Sequence, residues 1–236
     1  MNIHHRDQNY FIKIDEKNIP INIKKHYSSR KITISYLPLK QSINITIPKR
    51  CSTKQAIKFA NEKYSWITNQ INQYKNIKEF HDKQIISVLG KDIMLRHIGG
   101  RGTTNQKENI LFIYGDSEFM KRRVKKWLIQ ELRNNIVKIS TNYANKIGVT
   151  FGKINIRDTS THWGSCSTKG NLSFSIRLIF APYEILEYVI AHEIAHIKEH
   201  NHSKYFWDLV ETIYPNFREA EKWLKENSKS LYMYEL

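Results

Sequence analysis

The sequence predicts an α+β protein with a β-rich N-terminal part and a helical C-terminal part that keeps a small sheet. Isoleucine-rich stretches alternate apolar and polar residues across residues 1–50, which is typical of half-buried strands. Apolar residues recur at helical spacing through most of the C-terminal half. The composition changes near residue 117, so we expect two domains, residues 1–116 and 117–236.

The N-terminal part is predicted to hold several short strands and one helix. The first strands are expected at residues 11–14, 19–23, 31–37 and 42–47. Pro38 and the polar residues after it indicate a hairpin turn. Thr53 is a capping residue for a helix predicted over residues 54–80. Three further strands are expected at residues 85–89, 93–98 and 110–114, with a hairpin turn at Gly90-Lys91.

A glycine-containing loop and a basic helix start follow. Residues 99–102 read Gly-Gly-Arg-Gly, which is either a loop tip or a weak phosphate cradle, since no helix follows directly. A long helix is predicted over residues 118–147. Its first turns carry Lys121, Arg122, Arg123, Lys125 and Lys126. Because cations at this end oppose the helix dipole, the cluster is either a solvated face or a candidate anion-binding site.

The strongest chemical signal is His-Glu-x-x-His at residues 192–196. On a helix His192 and His196 lie one turn apart on one face, so both rings reach one metal ion. Glu193 lies beside them, placed to act on a metal-bound water. The alternative is a hydrogen-bonded histidine pair on a core helix. The apolar surroundings favour the metal, because unpaired polar groups are costly in such a helix.

A catalytic zinc site keeps three protein ligands and one open position, so a third ligand is needed. His200 on a continuous helix lies about 12 Å along the axis from His192, which is too far for one ion. We therefore expect His202 to be the third ligand, brought back by a left-handed helix end at Asn201. Weaker candidates are Glu199 and Glu211, and Ser203 is predicted to cap the next helix.

Two strands precede the metal-binding helix, at residues 149–157 and 172–178. In peptide-cutting metallohydrolases an extended substrate pairs with a strand beside the metal helix. Residues 172–177 are our candidate for that edge strand, although an ordinary sheet strand has the same pattern. Two further helices follow His202, the first ended by Pro215 and the second started by Asn216.

The composition indicates the partners and the compartment. The net charge of +16 favours polyanionic partners such as nucleic acid, nucleotides or acidic protein surfaces, although it also follows from the base composition of the coding genome. The two cysteines, Cys51 and Cys166, are too far apart in sequence for a disulfide framework, which suits a cytoplasmic location. We expect no secretory signal and no membrane association.

These motifs together resemble the YgjP-like metallopeptidase family, which has a zincin-like fold akin to minigluzincins and SprT-like domains. The resemblance is densest over residues 157–224, and residues 30–48 followed by Trp66-Ile67 also resemble the family's N-terminal part. The matching residues are Trp163-Gly164-Ser165-Cys166-Ser167, Asn171-Leu172, Ala181-Pro182, His192-Glu193-x-x-His196, Asn201-His202-Ser203 and Phe206-Trp207.

The resemblance implies one zinc ion at His192, His196 and His202, with Glu193 as the base. It covers most of the chain and agrees with the spacing argument. One departure is His162, which stands where the family usually has arginine before Trp-Gly-Ser-Cys. If that arginine positions substrate, His162 must do so with a weaker, pH-dependent charge.

We therefore predict a zinc-dependent hydrolase that cleaves amide bonds of peptides or proteins, with Glu193 as the general base. The donor that stabilises the oxyanion is one of His162, Arg157, Tyr188 and Tyr205. One alternative is a metal-dependent nucleotide phosphoanhydride hydrolase of the pyrophosphatase type, suggested by the positive charge. Another is a nucleic-acid-associated protein with a local protease activity.

Overall fold

The computed structural model describes residues 3–6, 9–74, 77–160 and 162–236. The chain forms two compact units, Met1–Asn76 and Ile77–Leu236. This boundary differs from the predicted 1–116 and 117–236, because the strands of residues 85–114 pack into the same core as the C-terminal helices. The predicted α+β class with a β-rich N-terminal part is confirmed.

The first unit is a mixed sheet with two helices. Its strands are β1 (Ile3–Arg6), β2 (Asn9–Ile14), β3 (Lys17–His26), β4 (Thr33–Leu37) and β5 (Ser42–Pro48), in the order β1-β2-β3-β5-β4. β3 and β5 run parallel, whereas the predicted hairpin of β4 and β5 is antiparallel. Alternate isoleucines such as Ile43, Ile45 and Ile47 are fully buried, as the period of two requires.

The helix predicted over residues 54–80 is two helices, α1 (Thr53–Glu62) and α2 (Tyr64–Gln73). Lys63 breaks it, with φ −96° and ψ 13°, and residues 75 and 76 lie outside the described part of the chain. The buried positions Ala60 and Ile67 continue one helical period across the break, so the sequence pattern does not reveal it. The cap is Ser52 rather than Thr53, since Ser52 Oγ accepts from the Gln55 N–H at 3.3 Å.

The second unit begins with a four-stranded sheet and a long helix. β6 (Ile85–Val88), β7 (Lys91–Ile98), β8 (Asn105–Lys107) and β9 (Ile110–Tyr114) pair in the order β6-β7-β9-β8. The turn from β6 to β7 is Leu89-Gly90, both at positive φ, which is the two-residue hairpin geometry. Helix α3 (Met120–Ile147) follows and ends at Gly148, where φ is 65°.

A three-stranded sheet and three helices complete this unit. β10 (Ile154–Arg157), β11 (Gly164–Cys166) and β12 (Leu172–Ser175) pair in the order β10-β12-β11. The helices are α4 (Tyr183–Ala195), α5 (Lys204–Ile213) and α6 (Phe217–Asn227). β12 lies in the centre of its sheet, so our prediction that residues 172–177 form an edge strand is wrong. The edge strand that contacts α4 is β11.

Buried apolar side chains of β6, β7, β9, α3 and α4 form one continuous core in this unit. Helix α4 lies within it and is apolar on nearly every side, as expected for a buried helix. No helix in the described part of the chain is both long enough and apolar enough to cross a membrane.

Candidate active site

The centre of the candidate site is the C-terminal end of α4. The helix begins directly after Pro182, whose carbonyl accepts from the Ile185 N–H at 3.1 Å. His192 and Glu193 lie in its last turn, and His196 is its C-terminal cap residue. The described geometry therefore places both histidines and the glutamate within one turn at the end of one buried helix.

His202 reaches this pair by a different path from the one predicted. Helix α4 ends at Ala195, and Asn201 does not have the predicted left-handed backbone, since it is absent from the residues with positive φ. The chain turns through residues 196–202 instead. Ser203 then caps α5, its Oγ accepting from the Phe206 N–H at 3.3 Å, which fixes the residue just before it.

The three histidines face one another through their ring nitrogens. His192 Nε2 lies 3.2 Å from His196 Nε2 and 3.0 Å from His202 Nε2. One ligand atom from each residue lies within 4.8 Å of the other two, so the cluster can hold a metal ion. His200 and Glu211 are exposed and Glu199 is half-buried, and none of the three belongs to this cluster.

The pKa values of the His192 and His196 rings favour the neutral form, which is the form that binds metal. Burial, and next the His196 and His202 rings, lower the pKa of His192 to about 3. Burial also lowers the pKa of His196. His196 Nδ1 lies 3.0 Å from the Glu199 carbonyl oxygen, and a proton on Nδ1 leaves the Nε2 lone pair directed at the cluster.

One phenylalanine supports all three rings. The Phe206 ring centroid lies 4.9 Å from that of His192, 4.5 Å from that of His196 and 4.7 Å from that of His202. Phe206 is fully buried. The sequence marked it only as an apolar position on α5 and as part of the family motif, so its role was missed. The sequence signal that could have revealed this role is the position of Phe206 three residues after Ser203, which caps α5.

Glu193 is buried against a glycine. It is 5% exposed, and burial raises the pKa of its carboxyl to about 8. A Cβ atom on Gly164 of β11 would lie 2.5 Å from Glu193 Oε1 and 2.6 Å from its Cγ. Only glycine allows the carboxylate to take this place. The family motif contains Gly164, but we had given it no role.

A cavity of about 270 Å³ opens beside Glu193. Its lining consists of His162, Trp163, Gly164, Tyr188, Val189, His192, Glu193 and Leu224. Two predicted oxyanion donors, His162 and Tyr188, therefore share a cavity with the predicted base. The other two do not: Arg157 is exposed on β10, and Tyr205 is 54% exposed on α5 and outside this lining. Burial, and next Glu221 and Glu193, raise the pKa of Tyr188, so its hydroxyl remains a donor.

An ion pair between the buried Arg177 and the half-buried Asp158 anchors the segment that leads into this cavity. Arg177 Nε donates to Asp158 Oδ1 at 2.8 Å, and Arg177 Nη2 donates to Asp158 Oδ2 at 2.9 Å. Arg177 Nη1 also donates to the Tyr234 carbonyl at 2.6 Å. Ser175 donates its N–H to the Trp163 carbonyl at 2.8 Å. The cavity wall at Trp163 is thus tied to β12 and, beyond it, to the C-terminal segment.

The basic cluster of α3 does not line the cavity that His192 lines. Arg122, Arg123 and Lys126 line a second cavity, whereas Lys121 pairs with Glu235 at 2.5 Å. Lys125 lines neither of these cavities. The cluster and the histidine site therefore share no lining residue.

A comparison with known protein families identifies a metallopeptidase domain in this chain. The model of the YgjP-like, metallopeptidase domain family matches residues 30–227, so the chain belongs to the YgjP-like family, as its motifs indicated. No curated protein matches the chain.

Among solved structures, the chain is similar to the crystal structure of the metallopeptidase zymogen of Pyrococcus abyssi abylysin. The identity is 22%, the match covers 39% of this chain and 93% of that chain, and the TM-score is 0.36. A likeness of this extent says nothing about function.

Proposed function

We propose that the protein is a zinc-dependent peptidase that cleaves amide bonds, with His192, His196 and His202 as the metal ligands. The observation that supports this most is the convergence of three ring nitrogens. His192 Nε2 lies 3.2 Å from His196 Nε2 and 3.0 Å from His202 Nε2. Two nitrogens bound to one tetrahedral zinc lie about 3.3 Å apart, given the usual bond length. The donor set therefore fits zinc with a fourth position left open.

Glu193 is the proposed general base. The chemistry that zinc supplies when bound is a water of lowered pKa and a polarised substrate carbonyl. Glu193 accepts the proton of the attacking water and passes it to the leaving amine. Gly164 leaves the space that the carboxylate occupies and so keeps it in its place.

Tyr188 and His162 are the proposed donors to the developing oxyanion. Both line the cavity that holds Glu193 and His192. Tyr188 lies one turn before His192 on α4, with ring centroids 6.1 Å apart. The variants Tyr188→Phe and His162→Ala distinguish the two candidate donors. The variant that lacks the true donor should have a kcat lower by about 100-fold or more.

The structure favours neither alternative reaction. The described lining of the cavity beside Glu193 contains no lysine or arginine that would bind the phosphates of a nucleoside triphosphate. The family match gives no support to nucleic acid as a partner. Cys51 and Cys166 are free thiols, which supports our proposal of a cytoplasmic, reducing location.

The test is elemental analysis of the purified protein together with cleavage of a peptide library read by mass spectrometry. The wild type should hold one zinc per chain and cleave, and His202→Ala should lose both zinc and activity. Glu193→Gln should keep zinc and lose turnover. His200→Ala is the matched control and should behave as the wild type. Zinc retained in His202→Ala would refute the ligand set, and full activity of Glu193→Gln would refute the mechanism.

A further inference from the structure

Two cavities in the second unit meet at one tryptophan and form a groove along α3. The first, of about 560 Å³, includes Thr103, Thr104, Arg122, Arg123, Lys126 and Trp127 in its lining. The second, of about 760 Å³, includes Leu89, Ile93, Gln106, Trp127, Glu131 and Asn135. Because Trp127 lines both, we treat them as one feature and call it the α3 groove.

Helix α3 lines one side of the α3 groove, and the other side includes the approach to the edge strand β8 and the turn between β6 and β7. Thr103 and Thr104 lead into β8, and Gln106 lies within it. β8 is the last strand of its sheet, and all three of its residues are exposed. An edge strand offers backbone donors and acceptors to an added strand, which is a common way to bind an extended peptide.

The length of the groove suits a short extended segment. From Arg122 to Asn135 the helix rises by about 20 Å, at about 1.5 Å per residue. An extended polypeptide covers that distance with about six residues, at about 3.3 Å each. The groove is therefore longer than a single side chain needs and matches a run of backbone.

The charge of the groove is concentrated at one end. Arg122, Arg123 and Lys126 line the first cavity, and no aspartate or glutamate does so among the described residues. The Arg122 guanidinium lies over the Phe119 ring at 4.7 Å. Arg123 Nη1 lies 3.5 Å from the Gly102 carbonyl oxygen, while its Nε is buried and has no hydrogen-bond partner in the described chain.

This arrangement is not explained by helix stability. The first turn of α3 contains no acidic residue, and cations at this end oppose the helix dipole. Three cations without a carboxylate in one cavity attract an anionic group and leave guanidinium donors available to it. The charged residues that line the opposite end of the groove are Lys91, Glu131 and Glu184, so cations outnumber carboxylates most strongly at the Arg122 end.

We propose that the α3 groove binds an extended, acidic segment of a polypeptide substrate. The segment adds as a strand along β8 and places its carboxylates against Arg122, Arg123 and Lys126. The substrate role rests on the proposed peptidase function, whereas the binding itself does not. Polypeptide fits better than nucleic acid, because a phosphate backbone cannot pair with a strand edge and is repelled by Glu131 and Glu184.

The test measures binding without turnover, on the full-length Glu193→Gln chain. The probe is a fluorescein-labelled peptide of about eight residues, with three Glu residues at one end and neutral residues elsewhere, long enough to span the groove. A peptide with Lys in place of Glu and an oligothymidine of equal length are compared by fluorescence anisotropy. The acidic peptide should bind, and Arg122→Ala/Lys126→Ala should weaken it by about tenfold or more.

The matched control is Lys138→Ala/Lys222→Ala, which removes the same charge from exposed positions outside the groove. This control should bind the acidic peptide as the parent does. Equal loss in both double variants would overturn the proposal in favour of net charge alone. Oligothymidine binding as tightly as the acidic peptide, with the same loss on Arg122→Ala/Lys126→Ala, would overturn the assignment to polypeptide.

Cleavage assays separate this inference from the proposed function. With Glu193 intact, Arg122→Ala/Lys126→Ala should cleave a short neutral peptide with unchanged kcat/KM. It should cleave the same peptide carrying an acidic extension more slowly than the wild type does. Cleavage of neutral peptides with no binding of the acidic probe would refute the groove alone. Binding of the probe with no cleavage of any peptide would refute the peptidase function alone.

Discussion

Gly164→Ala is the substitution that tests the proposed active-site geometry most directly, because it changes neither a proposed metal ligand nor the proposed base. The added Cβ would lie 2.5 Å from Glu193 Oε1, 2.6 Å from its Cγ and 2.8 Å from its Cδ. Protein Cβ atoms essentially never approach other atoms within 3.0 Å, so the carboxylate or β11 must move. The buried position of Glu193, 5% exposed, leaves little space for that movement.

The size of the effect follows from the overlap. Restoring ordinary contact, near 3.4 Å, from 2.5 Å requires a displacement of about 0.9 Å. A misplacement of about 1 Å in a catalytic group reduces the rate by about 100-fold. That factor corresponds to about 2.7 kcal/mol in the activation free energy. Since the histidines are not touched, we expect the loss in kcat while zinc content stays at the wild-type level.

The assay combines peptide cleavage, elemental analysis and thermal unfolding. Gly99→Ala is the matched control, because a Cβ there meets no atom within 4 Å. It should keep wild-type kcat/KM, zinc content and Tm. If Gly164→Ala holds zinc, folds and cleaves at the wild-type rate, then Glu193 does not act from the position described here.

Two substitutions and one labelling experiment test the surroundings of the site. Arg177→Met should lower the free energy of unfolding by about 3 kcal/mol, measured by urea denaturation, because it leaves Asp158 without its partner; an unchanged midpoint would contradict this. Phe206→Ala should cost about 3–5 kcal/mol and also weaken zinc binding in a chelator competition, since the ring contacts all three histidines. Burial raises the pKa of the Cys166 thiol to about 11, so mass spectrometry should find little alkylation of Cys166 by iodoacetamide at pH 8. Rapid modification there would show that the thiolate is accessible.

Local periodicity predicted most of the regular structure. Helix α3 (Met120–Ile147) and its end at Gly148 follow from apolar spacing and from a residue that tolerates positive φ. The hairpin of β4 and β5 follows from alternation and Pro38. His192, Glu193 and His196 were predictable for the same reason, since their relation is a helical repeat within five residues.

Features that depend on tertiary packing were not predictable. The position of β12 between β10 and β11 requires knowledge of which strands pair, and the alternation of its residues is the same in an edge strand. The unit boundary after residue 76 depends on β6–β9 packing into the core of α3 and α4. Contact between Gly164 and Glu193 joins residues far apart in the chain, so no local pattern contains it.

The third histidine lies between these two cases, because its membership of the histidine cluster was predictable while the backbone path that brings it there was not. Ser203 is a local capping signal, and the cap fixes the start of α5. That start places Phe206 beneath the rings and His202 beside them. The turn of residues 196–202 needs only to span the distance between the end of α4 and the start of α5, and any backbone path of suitable length does so. His202 is thus positioned by the helix that follows it rather than by the one that carries His192.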